Sequence, residues 1–168
     1  MLELRYYGDP VLRKTAAPVV KFDDDLKGFV VQMVEAMREE DGVGLAAPQV
    51  GVSLRLAVID TSGGESPPHV LINPEIVYSS SEREDCEEGC LSMPGISLKI
   101  NRPSKVSVKA WNENGESYTI ENAEGLLSRA LQHETDHLNG ILFIDHVSLV
   151  HRALIKSKLK KISEKQRE

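Results

Sequence analysis

The chain has 168 residues, of which 40% are hydrophobic and 27% charged, a composition that suits one folded domain with its own core. The formal net charge of −6 argues against nucleic-acid binding over the whole surface, so we expect no DNA partner. The sequence contains no apolar run of about 18–20 residues, no basic-then-apolar leader and only two cysteines. It therefore predicts a cytoplasmic protein rather than a membrane, secreted or disulfide-rich one.

The N-terminal part of the chain predicts one amphipathic helix. It begins after Phe22, where Asp23 or Asp24 can cap it and complement the helix dipole. Its apolar residues recur at helical spacing and form one stripe that we expect to be buried, made of Leu26, Phe29, Val30, Met33, Val34 and Met37. Gly42 and Gly44 then end the regular structure.

The middle of the chain predicts strands, because short runs rich in Val, Ile and aromatic residues alternate with turn residues. These runs cover residues 55–60, 69–78, 105–111 and 116–120, with a hairpin turn at 112–115. A second helix is predicted over 123–138 with Asn122 as its cap, and a last helix over most of the segment after Ser148. This order predicts an α+β fold, with mostly antiparallel strands packed around a central helix and further helices near both ends.

The run His133-Glu134-Thr135-Asp136-His137 within the second helix predicts a metal site. Residues at i and i+4 project from the same face of a helix, so both imidazoles can bind one ion, with the glutamate beside its open coordination position. Leu126 and Ala130 continue the histidine face and predict apolar surroundings, in which each unpaired polar group costs about 1–3 kcal/mol. These neighbours argue against two ordinary histidines on a solvated face.

A catalytic metal site usually has three protein ligands and one open position. Glu, His or Cys can supply the third, and Cys90 is the strongest candidate, because Gly89 before it allows close backbone approach and Pro94-Gly95 turns the chain away. Cys86 is the competitor, and we expect it to be a free thiol in the acidic, exposed stretch 81–86. A structural zinc site on both cysteines would need two further ligands nearby.

The segment 42–51, with the sequence GVGLAAPQVG, predicts a loop whose backbone can approach a ligand closely. Gln49 is the side chain in it that offers both a hydrogen-bond donor and an acceptor. The glycine spacing matches neither of the common nucleotide-binding motifs, so it does not predict phosphate binding. Taken alone, the segment fits a tight turn between a helix and a strand equally well.

Together, three segments resemble the signature motifs of peptide deformylases, namely GVGLAAPQ, EGCLS and HETDHLNG in this order and spacing. The resemblance extends to GDPVLRKTA near the start, LINPEI in the middle and GILFIDHVS after the second helix, and so covers nearly the whole chain. The basic C-terminal segment is similar to that of the bacterial form with a helical tail. The resemblance implies an enzyme that removes the N-formyl group from the first methionine of new polypeptides and releases formate.

The resemblance also implies a role for each matching residue. Cys90, His133 and His137 would be the ligands of one divalent metal ion, with Fe²⁺ expected and Zn²⁺, Ni²⁺ or Co²⁺ as substitutes. Glu134 would be the general base and acid. Gln49 and the backbone N–H of Leu91 would hold the oxyanion.

Residues near these motifs predict a substrate pocket that is apolar, favours methionine and is too small for an acetyl methyl group. The expected members are Val43, Gly44, Gly89, Leu126 and Ala130, with the stem of Arg129 at the rim. Two other functions stay open from the residues alone. One is a His-Glu-x-x-His protease, although His146 and His151, the later histidines, stand in no ligand motif; the other is a structural or peptide-binding metal module, which would need neither Glu134 nor Gln49.

The C-terminal segment is basic, in contrast to the rest of the chain. From Arg152 onward it has seven Lys or Arg and two Glu, a local charge of +5 against −11 for the remaining residues. We expect 149–168 to form an amphipathic helix in the same single domain as the catalytic part, 1–148. Its apolar residues would pack on that part, and they are Val150, Leu154, Ile155, Leu159 and Ile162.

The basic side chains of this segment would then face solvent and bind RNA phosphate on the ribosome surface, where formylated nascent chains emerge. They are Arg152, Lys156, Lys158, Lys160, Lys161, Lys165 and Arg167. A solvated basic helix without a partner is the alternative.

Overall fold

The protein has the α+β fold that the sequence predicts, with two antiparallel sheets and four α-helices among the described residues. A computed structural model describes residues 1–166. Its strands are β1 (Gly44–Ala46), β2 (Leu56–Ile59), β3 (His69–Ser79), β4 (Arg83–Gly89), β5 (Ser97–Pro103), β6 (Val106–Trp111) and β7 (Ser117–Ala123). Its helices are α1 (Asp24–Glu39), α2 (Gly125–Leu138), α3 (Leu149–Leu154) and α4 (Lys156–Lys165), with short 3-10 turns at Pro10–Arg13, Ala47–Val50 and Phe143–His146. Within this part of the chain, no helix combines the length and the apolar character needed to cross a membrane.

The larger sheet has the strand order β1-β2-β3-β6-β7 and is covered by a helix on each face. Strand β2, which lies between β1 and β3, is buried at every position, and its residues alternate between the two sides. Leu56 and Val58 join α1 in one apolar cluster, whereas Ala57 and Ile59 join α2 in another. The sheet therefore holds α2, the helix with the His-Glu-x-x-His run, against its second face.

Helix α1 agrees with its prediction. The Asp23 side chain accepts a hydrogen bond from the backbone N–H of Leu26 at 3.0 Å and caps the helix. The predicted stripe faces the sheet, and Met33 and Met37 are fully buried. The segment 42–51 contains more order than a loop, because its residues form β1, which pairs with β2, followed by a 3-10 turn.

Strands β4 and β5 were not predicted, and they form a separate two-stranded sheet. Each of the seven residues of β4 pairs with a residue of β5, from Arg83 opposite Pro103 to Gly89 opposite Ser97. The sequence of β4 concealed the strand because it carries charged residues on both faces, and Glu88 is its one buried residue. Strand β5 buries alternate residues, Leu98, Ile100 and Arg102, and so supplies the inner face of this sheet.

The predicted start and cap of the second helix were wrong. Strand β7 continues to Ala123, and helix α2 begins at Gly125 with Glu124 at the cap position, where no side chain makes a capping bond. Asn122 lies in the strand with a left-handed backbone (φ 49°), and its N–H donates to the hydroxyl of Ser107. The helix gains its stability from packing on the sheet rather than from a cap.

The C-terminal segment forms two helices rather than one, because the backbone leaves the helical region at Ile155 (φ −101°, ψ 0°). Ile155, Leu159 and Ile162 pack against a third apolar cluster, which includes Leu98 and Ile100 of β5. Val150 and Leu154, which were also expected to pack, are 70% and 74% exposed in the short helix α3, which buries no residue. Of the basic residues named above, Arg167 lies outside the described residues.

The packing of the C-terminal segment gives a stability prediction. Leu159 is 5% exposed, so Leu159→Ala leaves a cavity and should destabilise the docked segment by about 2–3 kcal/mol, at the low end for buried leucines. Leu154 is 74% exposed, and the matched change Leu154→Ala should alter the free energy of unfolding by less than about 0.5 kcal/mol. Denaturant unfolding of both variants measures the difference, and equal losses would show that α4 is not docked through Leu159.

Candidate active site and metal centre

The three predicted metal ligands meet at one point. Helix α2 projects His133 and His137 from one face, and Cys90 follows the last residue of β4. The two Nε2 atoms lie 3.3 Å apart, and the Cys90 Sγ is 3.4 Å from the Nε2 of His137. All three donor atoms lie within 4.8 Å of one another. One sulfur and two imidazole nitrogens therefore converge at one point.

This cluster fits one divalent metal ion. Metal–nitrogen bonds of about 2.0–2.1 Å in tetrahedral geometry place two nitrogens about 3.3–3.4 Å apart, and a thiolate at about 2.3 Å lies about 3.5 Å from each nitrogen. The observed separations of 3.3 and 3.4 Å match these values. Three protein ligands leave a fourth position open, as a catalytic site requires.

Glu134 stands beside this cluster with a free carboxylate oxygen. It is 4% exposed, and among residues 1–166 its Oε2 has no hydrogen-bond partner. Burial raises the pKa of the Glu134 carboxyl to about 7, so that the group can both accept and release a proton near neutral pH. Gly44 makes room for it, since a Cβ at that position would lie 2.5 Å from the Glu134 Oε1.

Gln49 is held with its amide N–H groups directed at the site. Its Oε1 accepts from the backbone N–H of Ala46 at 2.9 Å, which fixes the orientation of the amide. Its Nε2 then lies 3.2 Å from the hydroxyl of Ser92 and 3.6 Å from the Cys90 Sγ. Leu91, the other predicted oxyanion residue, lines a cavity that Gln49 and Cys90 also border.

Glu88 is a site residue whose role the sequence analysis missed. Its Oε1 lies 3.0 Å from the Nδ1 of His133, the ring nitrogen that faces away from the ligand cluster. Arg102 donates two hydrogen bonds to the same carboxylate, from Nε at 2.7 Å and from Nη2 at 3.0 Å. Burial alone would raise the pKa of Glu88, but the bonds from His133 and Arg102 outweigh it and lower the pKa to about 2. A carboxylate that is charged near neutral pH therefore orients one of the candidate metal ligands.

Arg129, whose stem was expected at the rim of the pocket, borders the same cavity, is 7% exposed and donates from Nη1 to the Oε2 of Glu88 at 3.2 Å. A further chain of contacts leads outward, because Arg102 also binds Asp136 at 2.9 Å, and Asp136 binds the Nε2 of His146 at 2.8 Å.

The signal for Glu88 was present in the EGCLS segment, where an acid precedes the candidate cysteine. Its partners are distant in sequence, so the contacts themselves could not be inferred.

The predicted pocket residues border one cavity of about 610 Å³ above Glu134. The residues that line this cavity include the five expected pocket residues, Val43, Gly44, Gly89, Leu126 and Ala130. Leu126 is 54% exposed, so it lies at the mouth of the cavity rather than in the buried face expected from the helix pattern. Cys86 is exposed and borders the same cavity, but it is not one of the three clustered donors.

Comparisons with known proteins agree with this geometry. Residues 1–153 match the family model described as polypeptide deformylase. The peptide deformylase of Thermotoga maritima is 50% identical over 163 residues, which cover 97% of each chain. That of Brucella suis is 44% identical over 160 residues, which cover 94% of this chain and 91% of the relative.

A solved structure leads to the same family. The crystal structure of a peptide deformylase from Legionella pneumophila superimposes with a TM-score of 0.92 at 45% sequence identity, covering 100% of this chain and 98% of that one. The match to the family model and the two relatives each span most of the chain. The chain therefore belongs to the polypeptide deformylase family and is an enzyme of that family.

Proposed function

We propose that the protein removes the N-formyl group from the N-terminal formyl-methionine of newly made polypeptides, and releases formate. The observation that carries the proposal is the arrangement of Cys90, His133 and His137 beside Glu134, a buried carboxyl whose pKa is about 7. A formamide is an unreactive acyl group, so its hydrolysis near neutral pH needs an activated nucleophile and a group that moves protons. This arrangement offers both beneath an open cavity.

Cys90, His133 and His137 would hold the metal ion of this reaction. When bound, a divalent metal ion supplies an activated water and polarises the acyl oxygen. We infer Fe²⁺ as the native ion, with Zn²⁺, Ni²⁺ and Co²⁺ as substitutes, from the resemblance of the three motifs to those of peptide deformylases. The thiolate ligand distinguishes the site from the harder His₂Glu set of many zinc proteases.

The protein's own residues would then move the proton and hold the developing charge. Glu134 accepts the proton of the attacking water and delivers it to the amine nitrogen as the C–N bond breaks, which releases formate and a free N-terminus. The Nε2 of Gln49 and the backbone N–H of Leu91 donate hydrogen bonds to the acyl oxygen as it becomes negative. The fixed orientation of the Gln49 amide supports this role, because no reorganisation is needed during the reaction.

The first prediction from the proposed function concerns Glu134. Glu134→Gln should retain the metal but slow formate release from a formyl-Met peptide by about 10²–10⁴-fold, since an amide cannot accept the proton. Metal analysis and a formate assay measure the two effects, with Glu121→Gln, an exposed carboxylate on β7, as the control. Near-normal turnover by a metal-loaded Glu134→Gln enzyme would exclude Glu134 as the base. If the wild-type protein cleaves internal peptide bonds, the protease alternative is favoured. If it binds the peptide without any turnover, the metal-module alternative is favoured.

The second prediction concerns the ligand cysteine. Cys90→Ser should weaken metal binding or change the preferred metal, because a hydroxyl is a harder and weaker ligand than a thiolate. Cys86→Ser, the matched change four residues away, should leave the metal content unchanged. Metal analysis after purification under argon compares them, and loss of the metal from Cys86→Ser alone would reverse the assignment.

The substrate pocket gives a third prediction. We infer that Val43, Leu126 and Ala130 receive the first side chain, while Gly44 and Gly89 let the substrate backbone approach. Methionine is unbranched and adaptable, which suits an apolar cavity of this kind. The kcat/KM for formyl-Met peptides should therefore exceed that for formyl-Gly and formyl-Asp peptides by about tenfold or more, because a buried apolar side chain contributes about 1.5–3 kcal/mol. Equal kcat/KM values for the three peptides would show that the pocket does not select the first side chain. Turnover of an acetyl-Met peptide would show that the site admits a methyl group.

We further propose that the enzyme works in the cytoplasm and that residues 149–168, in the same domain as 1–148, bind the ribosome surface through their basic side chains. Five lysines of this segment are exposed, and Leu159 anchors α4, the helix that carries all five. Arg152 contributes less free charge, because it lies 3.5 Å from Asp145. Docking on one face and exposed lysines on the other would orient the charge outward.

The fourth prediction tests this attachment without removing Leu159. The triple change of Lys158, Lys160 and Lys161 to Glu should abolish co-sedimentation with ribosomes at low salt and leave hydrolysis of a short formyl peptide intact. Lys14, Lys27 and Lys99 are also exposed but lie elsewhere, and changing these three to Glu provides a control with the same change in net charge. Wild-type binding should weaken steeply with salt, since it releases counterions from RNA. Binding that survives the triple change or higher salt would leave the tail as a solvated helix.

A further inference from the structure

Arg129 is a buried cation with no role in the chemistry derived above. It stands four residues before His133 on α2, so both side chains project from the same face of the helix. Burying a guanidinium is costly unless its donors are satisfied, and this one is 7% exposed. Its partners therefore indicate what the residue is for.

Among the described residues, the side chain of Arg129 donates hydrogen bonds only to the two-stranded sheet. Its Nη1 donates to the Oε2 of Glu88 at 3.2 Å and to the carbonyl oxygen of Ile100 at 2.6 Å. Its Nη2 donates to the carbonyl oxygen of Glu84. The planar fork of the guanidinium thus spans β4 at two points, four residues apart, and β5 at one.

These contacts matter because β4 has little else that joins it to α2. Glu88 is the one buried side chain of β4, and its remaining partners are His133 and Arg102. No backbone pairing joins β4 and β5 to the larger sheet within residues 1–166. Yet β4 leads directly into Cys90, whereas α2 carries both histidines. The distance between the thiolate and the imidazoles therefore depends on how β4 is held against α2.

We propose that Arg129 is a positioning residue that sets the separation of Cys90 from His133 and His137, and so the affinity of the site for its metal ion, without touching the ion. This inference rests on the ligand set of the proposed function. Arg102 provides the complementary tie, since it extends from β5 to Asp136 on α2 and keeps Glu88 charged. Loss of Arg129 leaves Glu88 with two partners, so the variant tests the position of β4 rather than the charge of Glu88.

The test is a titration of the metal-free protein with Co²⁺, followed by visible absorption, which reports affinity and ligand geometry without any substrate. Arg129→Met keeps most of the side-chain length and removes every donor, and we expect it to weaken Co²⁺ binding by about tenfold or more and to change the absorption spectrum. Arg129→Lys keeps the charge but lacks the planar fork, so we expect an intermediate affinity. Because Arg129 also borders the cavity, the metal titration is a cleaner readout than KM.

Arg55→Met is the matched control. Arg55 donates to the carbonyl oxygen of Leu138 and to the side chain of Asn139, both at 3.0 Å, and so ties the C-terminal end of α2; within residues 1–166 its side chain makes no hydrogen bond to β4 or β5. We expect it to lower the Tm of the metal-free protein and leave Co²⁺ affinity within twofold of wild type. An unchanged affinity in Arg129→Met, or an equal loss in Arg55→Met, overturns the proposal.

Two further measurements separate the ways in which the idea can fail. If Arg129→Met does not fold, as judged by circular dichroism, Arg129→Lys decides the matter, and wild-type affinity in that variant contradicts the proposal. Cys90→Ser tests the ligand set by itself, because it should lose Co²⁺ affinity whether or not Arg129 positions β4. Loss with Cys90→Ser but not with Arg129→Met keeps the proposed function and rejects the positioning role.

Discussion

The buried carboxylate of Glu88 joins the parts of the protein that make the site. It accepts hydrogen bonds from His133, a candidate metal ligand on α2, from Arg102 on β5 and from Arg129 on α2. A buried charge left without partners would cost several kcal/mol, so the sheet and the helix can pack closely only if this network is complete. Two arginines and two carboxylates, Glu88 and Asp136, balance the charge. Hydrogen bonds and ion pairs thus hold the elements together at this interface, whereas apolar packing does so elsewhere in the core.

A second constraint is the lack of space around Glu134. Its carboxyl group is buried, and Gly44 lies so close that a Cβ there would be 2.5 Å from the Glu134 Oε1. Gly44 also lines the cavity, so the same lack of space supports the proposed preference for a formyl over an acetyl group. Burial also keeps the pKa of Glu134 near neutrality, so one feature serves both shape and proton transfer.

The sequence predicted the parts of the site that depend on local spacing. Two histidines four residues apart on a helix share a face whatever the rest of the fold does, and the buried stripe of α1 follows from the same helical period. Strand β4 escaped prediction because charged side chains occupy five of its seven positions, which removes the alternation that marks a strand. The role of Glu88 was equally hidden, since it depends on Arg102 and Arg129, which are 14 and 41 residues away in sequence. The exposed leucine and valine of α3 show the same limit, because helical spacing predicts a stripe but not whether a partner lies beneath it.

The three candidate metal ligands come from two structural units, which would couple metal binding to the fold. The histidines belong to a helix that packs on the five-stranded sheet, whereas Cys90 follows a strand of the smaller sheet, which packs on the third apolar cluster with α4. An ion bound by all three residues would therefore bridge the units, and any ligand that binds only the folded state stabilises it in proportion to its affinity. The arginine contacts at the same interface act in the same direction before any ion binds. Selection for tight metal binding and selection for a well-packed interface would then act on the same residues, which is a physical reason for burying so much charge beside the site.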